Sequence, residues 1–437
     1  MKTHIQETDR FLKNHLMHPD CINLHEQTGL FIEEMEKGLA GKEASSLLML
    51  PSFISLDGDL PVNKRVIVID AGGTNLRVAV VSFDMLKKPN IGYIKKFPMP
   101  GTSGELTFAE MCDTISKYVF PIEAESDTIA FCFSYPTEAM QDRDAKIINF
   151  NKEVQITNGE GQLIGENLNR AMLASGCKEP KKIMILNDTI ATLLGAVAAY
   201  PERTFDTYIG FILGTGTNVC YIEEVNKIPK VQHETIGTNT MIINTESGSY
   251  DKVPRGTIDN IIDNESLLVG DMVLEKMVSG GYLNQILLLT TKLAAREGLL
   301  SQRLFDQIEI VESLSMTDIN AFCDNPLGDN VLSKMVFGND SDRQVLYTII
   351  DRLYERAAKI TTFTFAAIAK KNEFGKDPTI PICISAEGTT FYKANIYRDR
   401  LLYYMTSFFN RELGSSYEIV HVEDATIIGS AVAGLLN

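Results

Sequence analysis

Three features of the sequence predict an α/β protein built from two similar halves. Residues 66–83 (VIVIDAGGTNLRVAVVSF) read as strand, small-residue turn, strand. The pattern returns at 207–224 (TYIGFILGTGTNVCYIEE), and both turns end alike, as Gly73-Thr74-Asn75 and Gly216-Thr217-Asn218. The 437 residues are too many for one small core and suggest two domains. We read the short repeat as an ancient duplication.

The elements follow in order. Glu7 to Gly41 has helical character. Lys42 to Asn63 holds Pro51, Pro61 and Asp57-Gly58-Asp59, so it reads as a connector. Val66 to Asp70 and Leu76 to Phe83 are strand-like, with the turn between them. Glu105 to Val119 has helical spacing. Asp127 to Ser134 is an apolar strand stopped by Pro136, and Lys181 to Leu186 is another. Asp188 to Tyr200 reads as helix. After the second strand pair, Glu265 to about Phe408 is mostly helical, interrupted by a strand at Ile380 to Ser385.

Composition narrows the function. Hydrophobic residues are 44% and charged residues 22%, ordinary for a soluble globular chain. The formal charge of −16 repels nucleic acid. It also repels free ATP, so a nucleotide is expected to arrive with a divalent cation and to meet local backbone donors. The seven cysteines are scattered with no CxxC pair, which suits a reducing cytoplasm. No signal peptide or membrane span is expected.

Gly-rich turns let several backbone N–H groups converge on a phosphate, and Thr and Asn add side-chain donors. Either turn alone is equally an ordinary hairpin; two matching ones favour phosphate. Asp70 ends the first strand, where a carboxylate can face Mg²⁺ directly or through water. Gly41-Lys42-Glu43 and Gly375-Lys376-Asp377 fail as P-loops, and no HExxH is present. Leu186-Asn187-Asp188-Thr189 joins a strand to a helix, where open α/β sheets bind ligands. Helix capping accounts for Asn187-Asp188 equally well; the functional alternative makes Asp188 a general base. Lys152 is the candidate to keep it ionised, although spacing alone reads it as a surface lysine. Ser134, Glu246 and Glu275 supply polar groups for a sugar, and either glutamate alone reads equally as surface charge.

In this order, the segments resemble the hexokinase family, including glucokinases of the same type. The resemblance rests on SSLLMLPSF, IDAGGTNLRV, AFCFSYP, LNDTIATLLG, LGTGTNVCYIEE, INTESG, LEKMVSGGYL and SAEGTTFYK. It implies two ribonuclease-H-like (actin-like ATPase) domains around a central cleft. The small domain would take 66–189 plus 424–437, and the large one 1–65 plus 190–423. It implies ATP-dependent phosphorylation of a hexose 6-hydroxyl, glucose before mannose or fructose, with Mg²⁺ delivered as MgATP. By the same resemblance Asp188 is the base, supported by Lys152. Ser134, Tyr135, Asn151, Lys152, Asn187, Asn218, Glu246 and Glu275 line the sugar. Gly72, Gly73, Thr74, Asn75, Gly214, Thr215 and Gly216 hold phosphates, and Gly388 and Thr389 lie near the nucleoside.

Three departures stand out. The family's Trp-Thr-Lys-Gly-Phe sugar loop is Phe150-Asn151-Lys152-Glu153-Val154. Ser247 follows Glu246 where the family has Trp. The family's C-terminal Glu-Asp-Gly-Ser-Gly-Lys-Gly is Glu423-Asp424-Ala425-Thr426-Ile427-Ile428-Gly429, so no nucleotide contact is assigned there. A sugar-sensing relative with weak turnover is the alternative function. An actin-like ATPase would not need the Ser134, Glu246 and Glu275 segments.

Overall fold

The computed structural model describes residues 2–41, 45–56, 58–73, 75–150, 154–232 and 237–436. Of the expected site residues, Thr74, Asn151 and Lys152 lie outside them.

Two sheets repeat one topology. The first is built from β1 (Val66–Ala71), β2 (Asn75–Phe83), β3 (Pro89–Pro98), β4 (Thr128–Phe133) and β5 (Lys182–Leu186). Its order is β5-β4-β1-β2-β3, with β1, β2 and β3 an antiparallel meander and β4 and β5 parallel to β1. The second contains β6 (Tyr208–Leu213), β7 (Thr217–Glu224), β8 (Thr240–Asn244), β9 (Ile382–Glu387) and β10 (Tyr417–Val420). Its order is β8-β7-β6-β9-β10, again a meander followed by two parallel strands. The two-residue strand Leu50–Pro51 extends the β8 edge. The duplication read from two turns therefore extends to five strands in each half.

Alternation along the strands builds three cores. Ile67, Ile69, Ile129, Phe131 and Ile185 face helices α1 (Phe108–Val119) and α2 (Ile164–Ala174) on the outside of the first sheet. Ile209, Phe211, Tyr221 and Ile384 face the helical layer of the second, including the long α4 (Asp340–Asn372). Val66, Val68, Ala130 and Cys132 from the first sheet share the third core with Cys220, Ile242 and Cys383 from the second. Between them lie α3 (Asp188–Ala199), packed on β6 and β9, and α5 (Ala425–Leu436), packed on β1 and β4. Both helices are buried nearly all round, which explains their unbroken apolar composition.

Two local expectations change. Glu7 to Gly41 is not one helix: helices Lys2–Asn14 and Leu24–Leu39 are separated by Leu16 in the left-handed region (φ 56) and by Pro19, with Asn23 capping the second. The helix expected from Glu105 begins at Phe108. Thr107 and Glu110 close a capping box there, and Leu106–Thr107 pairs with Ile156–Thr157. Among the described residues no helix is long and apolar enough to cross a membrane.

Candidate active site

The catalytic candidates gather where β1, β4 and β5 end, facing the ends of β7 and β8. Asp188 opens α3, one residue after Leu186-Asn187. Asn187 is the N-cap, its side chain accepting from the Thr189 N–H at 2.8 Å. Capping thus belongs to Asn187 and leaves the Asp188 carboxylate available. Thr189 donates its hydroxyl to Asp188 Oδ1 at 3.2 Å, and Ser134 hydrogen-bonds the same carboxylate. Enclosure of this group is the larger influence: it pushes the pKa up to about 6, and the nearby negative charge of Asp70 adds to it.

Two glutamates approach from the second half. Glu246 follows β8 with φ 53 and ψ 48, a left-handed conformation unusual for a residue with a side chain. Asn244 donates to Glu246 Oε1 at 2.6 Å, and Asn218 bonds Asn244 Oδ1 at 2.7 Å. Glu275 stands on helix Val273–Val278, where the Thr217 N–H donates to Oε2 at 3.0 Å. A side chain at Gly216 would meet that oxygen at 2.6 Å, so the glycine leaves room for the carboxylate in this position. Burial first, and for Glu246 the charges of Asp188 and Glu275, push both carboxyls up to about 7. Lys276, the neighbouring cation, is committed to buried Asp263 at 2.7 Å.

The phosphate turns are braced from behind. In the first, the Gly72 N–H bonds Asn75 O at 3.0 Å. Tyr135, expected on the sugar, is instead 1% exposed beneath this turn. Its hydroxyl donates to Gly72 O at 3.3 Å, and its ring contacts Phe133 and Phe150. In the second, Gly214 N–H bonds Gly216 O, while Gly280 and Gly281 donate to the carbonyls of Gly214 and Thr215 at 2.9 and 3.0 Å. Thr390 Oγ1 also donates to Gly214 O. The carbonyls are thus occupied on the helix side, while Thr215 stays exposed. Gly388 (φ 114) passes so close that a Cβ would meet Leu213 O at 2.2 Å, placing Thr389 beside the second turn.

Asp70 is 7% exposed. Arg77 Nε donates to its Oδ2 at 2.9 Å and Thr426 Oγ1 to the same oxygen at 3.1 Å; Arg77 Nη1 reaches Asp424 at 2.7 Å. The C-terminal run that had lost its glycines therefore ties α5 to β1 and β2. Sequence reasoning missed Asn244, Arg77, Thr426, Gly280 and Gly281. The paired glycines in MVSGGYL and the arginine in NLRV were the available signals.

Two models described as hexokinase match the chain in succession, at residues 9–198 and 208–436. The chain is 29% identical over 436 residues to hexokinase-1 of Schizosaccharomyces pombe, covering 95% of this chain and 87% of that protein. It is 30% identical over 373 residues to hexokinase-5 of Oryza sativa subsp. japonica, covering 79% and 71%. A solved structure of hexokinase from Schistosoma mansoni complexed with glucose matches the fold with TM-score 0.78 at 20% identity, over 99% of each chain. Matched by hexokinase models through both of its repeated halves, the chain belongs to the hexokinase family of ATP-dependent hexose kinases.

Proposed function

We infer that the chain transfers the γ-phosphoryl group of ATP to the 6-hydroxyl of a hexose held between the two sheets, with glucose the preferred sugar. The grouping of Asp188, Glu246 and Glu275 is the observation that carries this reading. Three enclosed carboxylates with raised pKa values, held by amides and hydroxyls, are matched by the O–H donors of a sugar. The Schistosoma mansoni hexokinase of the same fold is complexed with glucose.

In this mechanism the sugar hydroxyls bond Glu246, Glu275, Asn218, Asn187 and Ser134, which fixes the reacting hydroxyl against Asp188. Asp188 removes its proton as the new P–O bond forms. Lys152 and Asn151 take their supporting and sugar-binding roles from the family resemblance. The turns at 72–75 and 214–216 hold the phosphates through backbone N–H groups other than those of Gly72 and Gly214, which bond Asn75 O and Gly216 O, with Gly388 and Thr389 beside the nucleoside. Asp70 is a single carboxylate at the turn, and the described residues contain no cluster of three His, Cys, Asp or Glu able to hold a metal. Such a donor set fits Mg²⁺ that arrives on ATP and keeps most of its waters. Bound there, the ion would offset phosphate charge.

The domains we assign are 66–189 plus 424–437 and 1–65 plus 190–423. Asp424 at φ 53 and the start of α3 are the crossings between them. Closure about them would exclude water from the phosphoryl group. We assign a cytoplasmic location on the seven free thiols.

A coupled ADP assay over glucose, mannose and fructose tests the function. ADP release that depends on hexose is expected. Release without sugar would mean an ATPase, and tight sugar binding without release would mean a sensor.

The raised carboxyls set a pH dependence. Below pH about 4 these groups are protonated in folded and unfolded chains alike. As pH rises from there towards 7, the unfolded chain loses protons that the native state keeps, so stability falls, and the loss is complete above about 7. Activity runs the opposite way, because the base must be ionised. The kcat/KM for hexose should rise with an apparent pKa between about 6 and 7, shared by interacting groups. Melting temperature against pH and kcat/KM against pH check both limbs; a flat rate profile from pH 5 to 8 would remove Asp188 as the titrating base.

A further inference from the structure

The chain has 41 Lys and Arg against 57 Asp and Glu, so a phosphate approaching it meets a repulsive field. The lip of the first phosphate turn differs from that average. There β2 pairs antiparallel with β3, Asn75 opposite Pro98 and Arg77 opposite Lys96. Directly opposed residues share a face, with Cβ atoms about 5 Å apart. Lys96 therefore stands on the face of Arg77, two residues, or about 7 Å, from the strand end that meets the turn.

The cations here are not equivalent. The Arg77 guanidinium is used up: Nε and Nη2 bond Asp70, Nη1 bonds Asp424, and Nη2 also bonds Thr426. Arg77, Asp70 and Asp424 together carry one net negative charge. Lys95 points to the other face, its Nζ 5.1 Å from the Phe97 ring centre. Lys96 is exposed and, among the described residues, forms no ion pair. It is an exposed cation beside this net negative group.

We propose that Lys96 is a steering residue for the nucleotide: it offsets part of the local negative charge and guides the phosphates of MgATP onto the turn at 72–75. The proposal rests on the reading of that turn as a phosphate site. A free ammonium acting at range changes capture more than chemistry, and salt screens it within a Debye length of about 10 Å at 0.1 M.

Steady-state kinetics of Lys96→Glu test this, with Lys88→Glu at the far end of the same hairpin as control. At low salt, about 20 mM, Lys96→Glu should raise the KM for MgATP roughly 3- to 10-fold, with kcat and the hexose KM within about twofold. The difference should fade above roughly 0.3 M salt, Lys96→Gln should fall between, and Lys88→Glu should match the parent. An unchanged KM for MgATP, or a rise that salt does not diminish, overturns steering while leaving the phosphate site in place. Equal effects of Lys88→Glu and Lys96→Glu would overturn it too, because the cause would then be overall charge. Failure of the parent enzyme to bind MgATP would instead remove the phosphate reading itself.

Discussion

Asp188→Asn is expected to lower kcat by at least ~10²-fold while leaving hexose binding measurable by titration calorimetry. The amide keeps the size of the carboxylate and can still accept from Thr189 and Ser134, so the cavity is preserved. It cannot take a proton. The same change should raise the melting temperature at pH 8, because the native state no longer holds an enclosed charge beside Asp70. A rate loss paired with a stability gain separates a base from a structural residue, whose loss would lower both. Near-normal turnover by the folded variant would take the proton-accepting role away from Asp188.

Much of this site was legible because its chemistry lies in short contiguous runs. Asp70, the 72–75 turn, Ser134 and Asn187-Asp188 sit where an apolar strand stops, Asn218 sits where one starts, and strand ends are readable from periodicity. Glu246 and Glu275 carried no such mark, since a glutamate after a strand or on a helix is usually solvated. Their ordered resemblance to a family made them candidates, and the bonds from Asn244 and Thr217 bring them beside the second turn. Tyr135 shows the limit of adjacency: one step from Ser134 along the chain, it points to the opposite side and supports Gly72 from below. Arg77 was marked only by its residue type in NLRV: Asp70 is seven residues back, but its other partners Asp424 and Thr426 are over 340 residues away, so the network it joins could not be read. The single long N-terminal helix failed for a local reason, Pro19 and the left-handed Leu16 being weak signals within a helical composition.

The run at 423–429 reads differently in three dimensions. Against the family pattern it was a phosphate turn stripped of glycine, with Gly429 left over. That glycine lies inside α5 where it crosses α3. A Cβ there would come within 1.8 Å of Ala191 O and 2.7 Å of Gly195 N, and one at Gly195 would meet Ala425 O at 2.6 Å. These contacts are backbone atoms, so no rotamer change relieves them; the two helices must part. Gly429→Val should therefore destabilise by about 3 kcal/mol or more, at or beyond the upper end of overpacking costs. Gly29→Ala offers the contrast. Gly29 lies in the helix Leu24–Leu39 with nothing within 4 Å of an added Cβ, and alanine there should stabilise by roughly 0.5–1 kcal/mol. The crossing also bears on function. Here α3 leans on the second sheet and α5 on the first, so forcing them apart changes how the halves carrying Glu246 and Ser134 approach each other. The milder Gly429→Ala, studied at a temperature where it stays folded, should raise the hexose KM. It should also blunt the decrease in radius of gyration that is expected of the parent on adding saturating hexose, measured by small-angle scattering. If Gly429→Ala melts like the parent and contracts with sugar to the same extent, the helices can slide to accept a methyl group, and the seam is looser than its geometry implies.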